Sequence, residues 1–275
     1  MNPIKNIFRF SLLLVLLLSL AFLCVFATEI NTSKHITQVK KDYIAEEREF
    51  IDLMHVAVKN DFDQVDISKF QYTTYDVQKM VEYYSYEHPE TALYYLVYDL
   101  DRNDSNSEYI AAINFYANQK NNAKKYEEKI DEWANNVIEQ IPSTFTEKEK
   151  VDWINDYIIR NYEYDKDLKC RDLYDMIESG KGVCTGYTQM FTVLAKKAGL
   201  EVSFAMSEPL RHVWNVVKVD GKWYNIDVTW NDSSGQHQAY FLLSDIEIQI
   251  RHEYSGPNAT VTSQYFLCDS NFFDN

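Results

Sequence analysis

A thiol, an imidazole and a carboxylate stand close together in the last third of this 275-residue chain: Cys184, His212 and Asp227. Cys184 lies in the stretch GKGVCTGY, residues 180–187. No glycine precedes Gly180, and three of the chain's seven crowd into residues 180–186. After the cysteine the spacing turns helical, with Tyr187, Met190, Phe191, Leu194 and Ala198 on one apolar face. Lys196 and Lys197 suit the last turn and Gly199 suits its end. Cys184 is thus expected in the first turn of a buried helix, where free amides and the positive end of the helix dipole favour a thiolate. Gly180 and Gly182 are expected to bend the chain sharply into that helix, and Gly186 to admit a close neighbour.

The proton acceptor comes from the segment HVWNVVKVDGKWYNIDVTW, residues 212–230, which reads as two alternating strands about Asp220-Gly221. In that register Val219 faces Lys222, Trp214 faces Asp227 and His212 faces Thr229, so His212 and Asp227 emerge on one face as diagonal neighbours. Their roles then separate. His212 takes the Cys184 proton and later returns it to a leaving group, Asp227 orients the imidazole, and the Cys184 amide donates to a developing oxyanion. Such a setting lowers a thiol pKa from about 8.5 to about 4–7. Singly, each residue is ordinary: a small buried cysteine, a strand histidine, a capping carboxylate. The agreement of glycines, helix and hairpin is what favours chemistry.

Several further elements are expected to carry this trio. Asp42 to Asn60 and Thr74 to Glu87 read as helices, the latter ended by His88-Pro89. Residues 93–100 and 108–117 read as strands of a hairpin around the polar loop Asn103 to Ser107. Tyr126, Ile130, Trp133, Val137, Ile138 and Ile141 recur at helical spacing until Pro142. Thr146 with Glu149 is a capping box opening a helix with Val151, Ile154, Tyr157 and Ile158 on one face, and a further helix is expected over Leu168 to Glu178. The domains read as 1–27 leader, 28–145 mainly helical with a β-hairpin, and 146–275 catalytic. No chemistry is assigned to residues 28–145.

The leader reading rests on Lys5 and Arg9 before the apolar run Phe10 to Ala27, which suits a cleaved signal peptide or a retained membrane anchor. Either places residues 28–275 outside the cytoplasm. A formal charge of −15 argues against nucleic acid or an anionic membrane surface as partner. Any membrane contact would come through the uncleaved leader. Beyond the leader stand Cys170, Cys184 and Cys268; a Cys170–Cys268 disulfide is one pairing that leaves Cys184 free. No spacing suggests a metal site, and no cofactor motif appears.

GKGVCTGYTQMFTVLAKKAGLEV followed by HVWNVVKVDGKWYNIDVTW resembles the transglutaminase-like superfamily of papain-related thiol enzymes, particularly its bacterial exported members. The resemblance spans about residues 146–250. It takes in NYEYD at 161–165 and YFLLSD at 240–245, and it matches the family's catalytic positions at Cys184, His212 and Asp227. It implies an α+β fold in which the cysteine-bearing helix packs on an antiparallel sheet. It also implies acyl transfer from protein or peptide amides through a thioester, by a peptidase, an amidase or a protein-glutamine acyltransferase, with cell-wall peptides and secreted proteins as candidate substrates. The rival is a surface binding module that keeps the fold without turnover. The resemblance further implies an upstream aromatic oxyanion helper, Trp153 or Tyr164, and gives no support for calcium control. Trp214 and Trp230 suit the core or the walls of the site.

Overall fold

Two capping boxes set the frame. The Thr73 and Thr146 side chains each accept from the amide three residues on, and Asp76 and Glu149 return a carboxylate to the capping residue's own amide. The computed structural model describes residues 45–92, 98–115, 120–253, 263–264, 266 and 268–272. Of a first unit, residues 1–49, only the helical residues 45–49 are described; the second unit, residues 50–275, holds every other element. The leader expected over 1–27 lies outside the described residues. Among those described, no helix is long and apolar enough to cross a membrane.

In chain order the upstream elements are α1 (residues 45–59), β1 (Gln64–Asp66), a 3₁₀ turn (Ser68–Phe70), α2 (Thr74–Glu87), α3 (Pro89–Ala92), β2 (Tyr98–Asp101), β3 (Ala112–Phe115) and α4 (Lys120–Ile138). The expected hairpin pairs β2 with β3, from Tyr98↔Phe115 to Asp101↔Ala112. The first five residues of the strand expected over 93–100 lie outside the described residues. A third strand, β1, was not anticipated; it lies on the other side of β3, giving the order β1-β3-β2. Three residues in a polar setting carry too little alternation to be read as a strand.

Then come α5 (Glu147–Asn161), β4 (Glu163–Tyr164), α6 (Leu173–Ser179), β5 (Lys181–Gly182), α7 (Cys184–Lys197), β6 (Val202–Ser207), β7 (His212–Val219), β8 (Lys222–Ile226), α8 (Val228–Ser233), α9 (Asp245–Glu253) and β9 (Ser263–Gln264). The sheet β8-β7-β6-β9 is antiparallel throughout. Helix α7 packs on it, burying Tyr187, Met190, Phe191 and Leu194 with Val217, Val219 and Ile226 of the strands and Ile154 and Ile158 of α5. The buried Asn215 amide pins helix to sheet, donating to the Thr188 carbonyl at 3.2 Å and Thr192 Oγ1 at 2.9 Å. This is the expected α+β arrangement, a cysteine-bearing helix on an antiparallel sheet.

Three local expectations are corrected. Helix α6 begins at Leu173 rather than Leu168, because the Asp165 carboxylate captures the amides of Asp167, Lys169 and Cys170 in a loop before Asp172 caps the helix. Strand β8 ends at Ile226 rather than running to Trp230, since Asp227 is the N-cap of α8 and accepts the Trp230 amide at 3.0 Å. Gly180 does supply a left-handed turn, at φ +74°, but Gly182 serves packing. A Cβ at Gly182 would overlap Met176 Sδ and lie 2.9 Å from Met176 Cγ. Because Met176 is fully buried under α7, Gly182→Ala is expected to cost about 1–3 kcal/mol in a denaturant titration. An unchanged midpoint would show that the methionine moves aside freely.

Candidate active site

The tight turn at Asp220-Gly221, φ +50° and +80°, sets the hairpin register that was read from the sequence, with Val219 opposite Lys222. That register carries His212 to the start of β7 and brings Asp227 just past the end of β8. Their side chains meet directly, His212 Nε2 lying 2.6 Å from Asp227 Oδ2. The Cys184 thiol lies within hydrogen-bonding reach of the same imidazole, and the Val213 backbone also hydrogen-bonds to it. With Nε2 committed to Asp227, Nδ1 is the ring nitrogen available to the sulfur. The three residues singled out by pattern are thus brought together in space.

Burial alone would raise the Cys184 thiol, but the hydrogen bond and charge of His212, with the Val213 backbone, outweigh it and hold the thiol below its usual 9.0. Burial also opposes a charged His212. The Asp227 charge and hydrogen bond and the adjacent sulfur win, so the imidazolium persists above its ordinary 6.5. Asp227 has no solvent contact, which favours protonation; His212 and a second histidine keep it ionised well below the usual carboxylate range. A thiolate–imidazolium pair is the resting state this geometry favours.

The second histidine is His252, 1% exposed on α9, with Nε2 3.0 Å from Asp227 Oδ2. Sequence reasoning missed it, since 25 residues and an intervening helix separate it from Asp227. Its placement follows from Asn225, whose amide donates to Asp245 Oδ1 at the start of α9 and whose carbonyl accepts the Trp214 indole N–H. Trp214 and Trp230 stack on His212 at 5.8 and 5.3 Å and meet His252 edge-on at 4.6 and 4.4 Å. Both tryptophans therefore wall the ion pair, and Trp214 is core as well. His212, Asp227 and His252 also form the one described trio of potential metal donors. Separations of 2.6 and 3.0 Å suit shared protons; two ligands of one tetrahedral zinc would stand about 3.3 Å apart.

Above Cys184 opens a cleft of about 620 Å³. Helix α2 supplies one wall through Glu82 and Tyr86, so residues 28–145, given no chemistry from sequence, take part in shaping the site. Of the two candidate oxyanion helpers, Tyr164 lines this cleft, because β4 pairs it with Gly182. Trp153 stacks instead on Tyr157 of α5, lining a different hollow. Burial, then the charge of Cys184, raise the Tyr164 hydroxyl above its usual range, so it stays a donor. The N-cap of α7, Val183, offers no side-chain bond to the first-turn amides. Val183, Cys184 and Thr185 at this helix start line the cleft. None of Cys170, Cys184 and Cys268 forms a disulfide. The pairing of Cys170 with Cys268 is not formed: Cys170 Sγ accepts from Ser179 Oγ at 3.3 Å beside α6, while Cys268 is buried against Trp214 and Ile248.

A family model for the transglutaminase-like superfamily matches residues 131–228, a span that contains all three catalytic candidates. Those residues are similar to the transglutaminase-like superfamily. Human kyphoscoliosis peptidase is 25% identical over a 121-residue alignment that covers 37% of this chain. The chain spans only 18% of that relative's length. Among solved structures, a TGase shares 18% identity over 48% of this chain and 43% of its own, with a TM-score of 0.33. A candidate cysteine protease from Cytophaga hutchinsonii shares 21% identity over 37% of each chain, with a TM-score of 0.30. The matched residues include Tyr164, Trp214 and the α5 and α7 helices, whereas His252 lies beyond them.

Proposed function

We propose that this protein is an exported Cys-His-Asp thiol enzyme acting on amide bonds of proteins or peptides through a thioester. The observation that carries this reading is the Cys184 thiol at an uncapped helix start, in reach of an imidazole that Asp227 holds at 2.6 Å. The Cys184 thiolate adds to the carbonyl carbon, and the oxyanion is met by the first-turn amides and the Tyr164 hydroxyl. His212 gives its proton to the departing nitrogen as the C–N bond breaks, leaving the acyl group on sulfur. Neutral His212 then removes a proton from water or an amine, which attacks the thioester and frees the thiolate. Water gives hydrolysis; an amine gives transfer. Export is part of the proposal because of the basic start at Lys5 and Arg9 and the apolar run that follows.

The test is incubation with a glutamine-containing peptide library, with and without a primary amine, followed by mass readout. Ammonia loss with water gain marks deamidation, an amine adduct marks transfer, and a cut backbone marks peptidase action. None of the three, in protein whose Cys184 still alkylates rapidly, would overturn the reading in favour of a binding module. Tyr164→Phe is expected to lower kcat by about 10²-fold, with little change in the rate of Cys184 alkylation. A fall in both rates together would mean that the hydroxyl supports the thiolate instead.

A further inference from the structure

The chain has a formal charge of −15, yet the unengaged charges at the cleft are positive. Arg171 and Arg211 both line it and both are exposed. Arg171 Nε donates to the Leu168 carbonyl at 3.2 Å, which leaves its terminal nitrogens open. The Arg211 side chain has no hydrogen-bond or ion-pair partner among the described residues. The acids of the same cleft are engaged: Glu82 accepts the Tyr86 hydroxyl at 2.7 Å, and Glu208 pairs with Lys79 at 3.9 Å.

Both arginines sit on constrained backbone. Arg211 closes the β6–β7 turn, its amide bonded to the Glu208 carbonyl, with φ at +51° in the region that favours glycine. A long cationic side chain at such a position, immediately before the catalytic imidazole, is a costly choice for a turn alone. Arg171 follows the loop that Asp165 fastens through the amides of Asp167, Lys169 and Cys170, at 3.0, 2.7 and 2.9 Å. Leu168 of that loop and Tyr75 of α2 add apolar surface to the cleft, at 50% and 65% exposure. Apolar contact beside two open guanidinium forks is the chemistry that holds a carboxylate-bearing peptide.

We propose that this cleft selects acyl donors with a carboxylate near the carbonyl that Cys184 attacks, an acidic peptide segment gripped by Arg171 and Arg211. The proposal rests on the thiol-enzyme reading of the site and names its substrate class. The surrounding negative charge is screened beyond about 8 Å at physiological salt, so a contact inside the cleft survives where long-range repulsion fades.

Two measurements test it. In the first, Cys184 is alkylated by iodoacetate and by its neutral counterpart iodoacetamide. The ratio of the two rates is expected to fall about tenfold in R171Q/R211Q and to be only partly retained in R171K/R211K, which keeps the charge but not the fork. In the second, glutamine peptides with aspartate, asparagine or lysine neighbours compete with iodoacetamide for Cys184, and their turnover is followed. Aspartate peptides are expected to protect at concentrations about tenfold lower than asparagine peptides, and the glutamine double variant to lose that preference. An unchanged rate ratio together with equal protection by all peptides overturns the proposal. Protection in the expected order without turnover upholds this cleft chemistry while removing the enzymatic reading. Turnover that favours neutral peptides does the reverse.

Discussion

Cys184→Ala is expected to abolish turnover, by at least about 10⁴-fold, because in the proposed mechanism the residue supplies the bond-forming atom. Neither other described thiol can replace it. Cys170 is bonded to Ser179 beside α6, and Cys268 is buried, its thiol pushed far up by burial and then by the Asp245 charge. The fold should tolerate the change, with a stability effect of about 1 kcal/mol, since Cys184 is only half-buried and opens α7 rather than filling its core. Two measurements decide the matter together: peptide turnover, and the mass added by iodoacetamide at pH 6. Wild-type protein should gain one carboxamidomethyl group rapidly at Cys184, and the variant should gain none at that rate. Residual turnover within a factor of ten of wild type would remove Cys184 from the chemistry.

Asp227→Asn should lower kcat by about 10⁴-fold for a different reason, the loss of the charge that holds His212 protonated and oriented. In wild type the thiol is held below 9.0 and the imidazolium persists above 6.5, so Cys184 alkylation should already be fast on the acid side of 9.0. In the variant the rising limb should move up in pH toward the ordinary thiol value. Stability should change with pH in a matching way. Asp227 is depressed in the fold, so its contribution is present above the ordinary carboxylate range and is lost as pH falls through the folded value. His212 is raised, so its contribution is full below 6.5 and is lost as pH rises through the folded value. Wild type should therefore exceed D227N most between those limits, measured by denaturant titrations across pH. An alkylation profile that does not move in D227N would exclude Asp227 as the steering carboxylate. His252→Phe should be milder, about tenfold in kcat, because Asp227 keeps its bonds to His212 and to the Trp230 amide.

Short-range pattern made much of this legible without coordinates. Helix α2 was read at its observed bounds and α5 from its capping box, because a cap and a 3.6-residue period are carried by adjacent residues. The cysteine helix and the Asp220-Gly221 register were legible for the same reason: a two-residue turn with both φ positive leaves one alignment of the strands, and that alignment sends His212 and Asp227 to one place. Asp227 itself was misread as a strand residue, since an N-cap aspartate and a strand-end aspartate look alike until the following turn closes.

What lies across chain distance was hidden. His252 reaches Asp227 only because Asn225 anchors the start of α9. Glu82 and Tyr86 reach the cleft because α2 packs beside β6 through Tyr83, Tyr86 and Phe204. Tyr164 rather than Trp153 lines the cleft with Cys184 because a two-residue parallel pairing sets it beside Gly182. Local periodicity and turn chemistry decide which elements form and which way they face. Which side chains from distant elements share one buried volume depends on packing, and packing becomes definite only when the whole core has closed.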